Sequence, residues 1–238
     1  MTDSPRTECV FVGGGGNAIE PLYNEVRDFL DRLALDHRLS MFPATIRGYS
    51  GSLRRVAPIV RILCREPVSL AHVAKQIGPE NVALAHDAAF LLAPRLRGDF
   101  AGCIGNPTTA KLRSLRTDAE SLHRALGCND IMGEHYSEWT DMVHAHDVVW
   151  NAARYLLDFG EVETDRLHCG ILAAILGRRT VLRPNSYFKN NAVFDHSLSR
   201  LSNTRMQPPG ARERIKNTGL RIVRGVRRRS RWFKRPSY

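Results

Sequence analysis

Apolar residues in this chain come in two kinds of run, and the two kinds take turns. Residues 9–12 form a β-branched and aromatic run that ends in the glycines 13–16, which predicts a buried strand feeding a glycine turn. Over residues 21–35, Leu22, Val26, Phe29, Leu30 and Leu33 recur at helical spacing. Residues 39–42 predict a second strand, stopped by Pro43. A third strand is expected within residues 56–64 and a helix over 69–77. Residues 82–85 predict a fourth strand that leads into His86 and Asp87.

Residues 95–109 carry three glycines, a proline and little periodicity, and are read as the crossing between two domains. Beyond them the style repeats. A strand is expected over 111–116, a helix over 118–126 and a long helix over 141–157. A short strand at 162–164 then runs into a compact helix over 166–176, closed by Gly177. Another strand at 180–182 stops at Pro184. Strands that alternate with helices predict an α/β fold with parallel sheets covered on both faces. The expected layout is an N-terminal Rossmann-like domain over 1–107, a C-terminal one over 108–200 and a separate tail over 201–238.

A length of 238 residues suffices for one or two sizeable cores, and 43% hydrophobic with 25% charged residues is the balance of a globular chain. The formal net charge of +11 suggests nucleic acid until its location is considered. Twelve of the 35 Lys and Arg residues, but only one of the 24 acidic ones (Glu213), lie in 201–238, leaving 23 of each sign elsewhere. The body is neutral, so a nucleic-acid partner is not expected. From Arg205 to Arg235 the apolar Ile215, Ile222, Val223, Val226 and Phe233 fall near one helical face among arginines. That pattern fits a basic amphipathic helix on an anionic membrane surface, or else a disordered solubilising tail. Five scattered cysteines without a C-x-x-C pair point to reduced thiols in a cytosolic setting and to no metal site. No signal sequence and no membrane span is expected.

Chemistry concentrates at the ends of the expected strands. In Thr164-Asp165-Arg166-Leu167-His168, Asp165 fits a helix N-cap equally as well as a catalytic carboxylate. Arg166 and His168 sit in the first turn of an apolar helix, where open α/β sheets bind anions. Arg65-Glu66, after another strand, reads from spacing alone as an exposed ion pair near a helix start. Gly13, Gly15 and Ala18 match a G-x-G-x-x-A spacing, yet no carboxylate ends the strand at Met41-Phe42-Pro43, so a nicotinamide cofactor is not expected. The glycines are then either a phosphate-approaching turn or a bare one. Asn185-Ser186-Tyr187-Phe188-Lys189 reads as a ligand loop or an ordinary polar one. His144 and His146, two apart on a helix, face different ways and make a poor metal pair.

Taken in order, these pieces resemble the polysaccharide pyruvyl transferase family over about residues 10–198. The resemblance rests on Gly14-Gly15-Gly16-Asn17, on Phe42-Pro43-Ala44-Thr45-Ile46 and on Cys64-Arg65-Glu66-Pro67-Val68-Ser69. It continues through residues 86–92 (His-Asp-Ala-Ala-Phe-Leu-Leu), Arg116-Thr117-Asp118-Ala119-Glu120, Thr164 to His168, and Asn185 to Lys189. It implies a glycosyltransferase-B-like fold of two Rossmann-like domains, the first one shortened, with phosphoenolpyruvate as donor and no cofactor. The implied product is a pyruvate ketal on a sugar or lipid-linked oligosaccharide acceptor, made in the cytoplasm or at the inner membrane face. Arg65 and Arg166 would hold the donor, Leu167 would line its pocket, and His168 would protonate the enol methylene, with Asp165 as a second catalytic candidate. Asn17, Asn185 and Lys189 complete the implied substrate-binding set. The family's G-D-L-Y is replaced here by Ile19-Glu20-Pro21-Leu22-Tyr23, which displaces an acidic position. A sugar-nucleotide glycosyltransferase of the same fold and a non-catalytic membrane-attached relative are the alternatives.

Overall fold

A computed structural model describes residues 9–13, 15–23, 25–33, 38–104, 109–122, 130 and 141–207, with the side chains of 9–12, 17 and 33 outside that description. Two all-parallel sheets organise the chain. The first holds β1 (Cys9–Val12), β2 (Gly15–Ile19), β3 (Arg38–Arg47), β4 (Val60–Cys64) and β5 (Val82–Leu84), with β3 flanked by β4 on one side and by β1 and β2 on the other. The second runs in sequence order through β6 (Lys111–Ser114), β7 (Glu161–Thr164), β8 (Arg179–Leu182) and β9 (Thr204–Met206). Parallel strands need crossovers, and helices supply them. In the first half these are α1 (Glu25–Leu33), α2 (Ser50–Val56) and α3 (Pro67–Ile77). Then come α4 (Ala93–Asp99), α5 (Ala101–Ile104), α6 (Met142–Leu157), α7 (Leu167–Ile175) and α8 (Lys189–His196).

Several expectations change in contact with this structure. Pro43 does not end its strand. β1 pairs with β3 up to Met41, β2 resumes from Ala44, and the register against β4 also shifts between Met41 and Ala44. The ladder is already broken on both sides at Pro43, so its missing N–H costs no hydrogen bond there. Gly15 and Gly16, expected in a turn, instead belong to β2, which pairs with the same edge of β3 as β1. Within residues 56–64 only Val60–Cys64 is strand, because α2 occupies the approach. Residues 118–122 are turn rather than helix, and 123–126 lie outside the described residues. The stretch read as an aperiodic crossing is helical over α4 and α5, where Leu96 and Phe100 are buried in the second core. Leu201 to Met206, read as the start of the basic tail, instead carry the chain into β9, so Arg205 is a sheet residue. Residues 208–238 lie outside the described residues.

Two apolar cores follow. Leu39, Met41, Ile46, Leu53, Val60, Ile62 and Val73 fill the first, between β3, β4, α2 and α3. The second gathers Leu96, Trp150, Leu156, Val162, Ile171, Ile175, Leu182 and Leu198 around α7. Eight of the nine residues of α7 are buried, the exception being His168. At about 1.5–3 kcal/mol for each fully buried Leu or Ile, this helix is fixed by packing rather than by caps. Its end is set by Gly177, whose φ of 74° lies in the left-handed region that favours glycine. Gly170, inside α7, lets the helix lie close on the sheet: a Cβ there would sit 3.1 Å from Leu182 Cδ1. The first turn of α7 is therefore held in place by its own core.

Candidate functional site

The carboxyl ends of strands from both sheets open on one cavity of about 260 Å³. Arg65 follows β4, Arg116 and Glu120 follow β6, and Arg166, Leu167, His168 and Cys169 follow β7. Gly16 in β2, Tyr23 beyond it and Lys189 at the start of α8 complete the lining. This is where parallel sheets present free backbone groups and loops, and where their ligands bind.

Arg65 is 1% exposed, so it is not the surface ion pair that its spacing suggests. Its Nη1 donates to Asp87 Oδ2 at 2.6 Å and its Nε to Thr45 Oγ1 at 2.8 Å. Glu66 does not pair with it. That carboxylate caps α3 by accepting from the Ser69 N–H at 2.9 Å, with Pro67 placed where a helix needs no donor. The Asp87 carboxylate turns toward both halves of the site. Oδ1 accepts from the Ala89 N–H at 2.9 Å, while Oδ2 lies 3.5 Å from His168 Nε2. Burial alone would raise the Asp87 carboxyl, but His168 and Arg65 outweigh it and hold Asp87 well below the usual carboxylate range.

Asp165 is not the N-cap of α7. That helix begins at Leu167, and Arg166 stands at its N-cap position without a side-chain capping bond. Asp165 is fully buried beneath the cavity, where Oδ1 accepts from the Arg116 N–H at 2.7 Å. It does not line the cavity, so its part is to hold the loop that carries Arg116. Burial pushes its carboxyl up to about 6, only partly offset by the Arg116 N–H and guanidinium. A folded-state value above the unfolded 3.8 makes the native state bind the proton more tightly. The contribution of Asp165 to stability is therefore complete below about pH 4 and is lost as pH rises through 6. At about 1.4 kcal/mol per pH step between the two values, the change is roughly 3 kcal/mol. Urea titrations at several pH values should show wild type losing this much relative to Asp165→Asn between pH 4 and 7. Parallel pH profiles would contradict the assignment.

Arg166 lines the cavity with its guanidinium forked onto the Asp130 carboxylate and 3.6 Å from Asp118 Oδ2. Leu167 is buried at the cavity wall, and His168 stands in its mouth with a side chain 54% exposed. Arg116 forks onto Asp118, at 2.8 and 2.6 Å, and reaches Glu120 Oε2 at 3.3 Å.

Glu120 is the hub of the far wall. It is 3% exposed and accepts from Tyr23 Oη at 2.6 Å, from Tyr187 Oη at 3.2 Å, from Asn185 Nδ2 at 3.4 Å and from Lys189 Nζ. These partners hold its carboxyl low against its burial. Burial pushes the Lys189 ammonium down to about 8 in spite of Glu120, aided by Arg116 and Arg65. A Cβ on Gly16 would lie 3.1 Å from Lys189 Nζ and 3.4 Å from Arg65 Nη2, so the glycine lets β2 pass close to both cations. Of the residues expected at the site, Arg65, Arg166, Leu167, His168 and Lys189 share the cavity. Asn185 supports it from behind Glu120, Asp165 from below, and the Asn17 side chain lies outside the description. Arg116, Glu120, Tyr23 and Gly16 also line the cavity, and Asp87 contacts two of its lining residues, Arg65 and His168. All five stand inside the segments compared with the family, but the sequence pattern assigned none of them a role at the site.

The family model described as polysaccharide pyruvyl transferase matches residues 2–187. The chain belongs to the polysaccharide pyruvyl transferase family. It is thus a transferase, and its family acts on polysaccharide. It is 24% identical over 239 aligned positions to the protein named "Putative pyruvyl transferase EpsO" of Bacillus subtilis (strain 168), covering 81% of this chain and 70% of that one. In fold it is similar to the crystal structure of a functionally uncharacterised protein from Klebsiella pneumoniae subsp. pneumoniae. That match has a TM-score of 0.71 and 28% identity, over 87% of this chain and 80% of the other. Among the described residues, no helix of this transferase is long and apolar enough to cross a membrane.

Proposed function

We propose that this transferase moves the pyruvyl group of phosphoenolpyruvate onto two hydroxyls of one sugar, in an exopolysaccharide or its lipid-linked precursor, releasing phosphate and closing a ketal. The observation that carries this reading is the convergence of Arg65, Arg116, Arg166 and Lys189 on one small cavity with His168 at its mouth. A three-carbon donor bearing both a phosphate and a carboxylate needs several cations within a short reach, and guanidinium forks match both groups. Arg65 and Arg166 are assigned to those groups, with Leu167 as the apolar wall. His168 gives a proton to the enol methylene, and the resulting oxocarbenium-like carbon takes the first sugar hydroxyl. Loss of phosphate and attack by the second hydroxyl complete the ketal. Proton transfer and charge stabilisation by side chains account for this chemistry, so no cofactor or metal is assigned. The two sheets correspond on this reading to a glycosyltransferase-B-like pair of domains with the cavity between them. On the charge pattern of the sequence alone, we assign the basic residues beyond 207 to attachment at the inner, anionic face of the membrane.

A thermal-shift comparison tests the donor. A ligand at a hundred times its Kd stabilises a protein by about 2.7 kcal/mol, which is several degrees for a chain of this size. Phosphoenolpyruvate is expected to raise Tm by that amount, and nucleotide-sugars to leave it unchanged. The reverse result would assign the site to a sugar-nucleotide glycosyltransferase. A null response to both would indicate a non-catalytic relative.

A further inference from the structure

We propose that Asp87 is the positioning residue of the proton-transfer step, and that by engaging His168 Nε2 it leaves Nδ1 as the nitrogen that delivers the proton to the donor. This rests on the reading of His168 as the acid of a pyruvyl transfer.

The argument is geometric. His168 is the one exposed residue of an otherwise buried helix, and its side chain alone leaves the imidazole free to turn about two bonds. Its Nε2 lies 3.5 Å from Asp87 Oδ2. That carboxylate is 4% exposed and is itself held on two sides, by Arg65 Nη1 at 2.6 Å and by the Ala89 N–H at 2.9 Å. Arg65 is in turn fixed by Thr45 at 2.8 Å. The chain of contacts therefore runs from the first sheet to the one exposed residue of α7. A buried carboxylate with three partners orients an imidazole better than a solvated one, because its own position is over-determined. It accepts only, so the ring nitrogen beside it must carry hydrogen.

The step then balances as follows. In the imidazolium, Nε2–H stays on Asp87 while the Nδ1–H bond breaks and its proton bonds to the methylene carbon, using the electron pair of the enol double bond. The adjacent carbon becomes the oxocarbenium-like centre. The first acceptor hydroxyl attacks it and returns its proton to Nδ1. The carbon–oxygen bond to phosphate breaks with its electron pair on the phosphate, and the second hydroxyl closes the ketal as its proton passes to that leaving group. Asp87 keeps its charge throughout and offsets the cation while it exists. The same carboxylate holds Arg65, which ties donor capture to the readiness of the acid.

Two measurements test this separately. In the ring-nitrogen NMR spectrum of isotopically labelled protein, with His168 assigned by its absence in His168→Ala, neutral His168 is expected as the Nε2–H tautomer. Asp87→Asn is expected to give a mixture of tautomers. In steady state, Asp87→Asn should lower kcat by between about 10² and 10⁴. KM for phosphoenolpyruvate should move by less than about tenfold, and the alkaline limb of the kcat profile should shift to lower pH. Should Asp87→Asn fail to fold, Asp87→Glu, which keeps the charge, is expected to retain the Nε2–H tautomer and recover most of kcat. A wild-type Nδ1–H tautomer, or a kcat within threefold in Asp87→Asn, overturns the proposal. If wild type releases no phosphate from phosphoenolpyruvate, the donor reading fails, and the tautomer measurement still decides the role of Asp87.

Discussion

His168→Ala is expected to lower phosphoenolpyruvate-dependent phosphate release, with a sugar acceptor present, by about 10²–10⁴-fold, the usual contribution of a placed general acid. The variant should remain as stable as wild type. The side chain is 54% exposed, lies 3.5 Å from Asp87 Oδ2, and leaves the packing of α7 to Ile171, Ala174 and Ile175. Truncation at an exposed helix position usually changes stability by less than about 0.5 kcal/mol. The two readouts together carry the argument, because a core residue would lose both. Retention of more than a tenth of the wild-type rate would remove His168 from the chemistry.

The second large effect concerns stability. Glu120→Ala is expected to cost about 3–5 kcal/mol in urea unfolding at pH 7, the range for breaking a buried ion pair from one side. Lys189 is 3% exposed, and its ammonium would stay behind without its carboxylate. The Arg116 guanidinium and the Tyr23 and Tyr187 hydroxyls would lose the same acceptor. The loss should shrink as pH rises toward 8 and level off above it. Burial already lowers Lys189 to about 8, and without Glu120 it would shed its proton more readily still, removing the uncompensated charge. Glu120→Gln keeps an acceptor oxygen and should lie between the two. A loss below about 1 kcal/mol for the alanine variant would mean that Glu120 is not the wall's organising group.

How much of this was legible in the residues can be judged element by element. The helix over α7 was plain because its apolar stretch is long, and Gly177 marks its end. The strands β4, β5 and β8 were plain because each holds a short apolar run closed by a polar or turn residue. Pro43 misled, since a proline signals a strand end unless both neighbouring ladders are already interrupted, and only tertiary pairing shows that. The helix α2 has just two apolar core positions, Leu53 and Val56, too few for a periodic signal. β9 hides behind the first cations of a basic stretch. In the site, Arg65 shows the limit most clearly. A charged pair of neighbours reads as surface by default, whereas here Arg65 and Glu66 are both buried and serve different partners. Asp165 shows the same limit, because its N-cap role belonged to spacing and its true partner, the Arg116 N–H, lies 49 positions away. Burial of charge depends on partners that are remote in sequence, and no local pattern announces them.

A calorimetric titration with phosphoenolpyruvate, comparing wild type with Arg166→Ala, is the most direct test of the donor cavity. Charge-assisted hydrogen bonds from a guanidinium fork are worth about 1.5–3 kcal/mol, so affinity should fall by about 10–150-fold in the variant. Equal affinity in the two proteins, or no heat with either, would contradict the account.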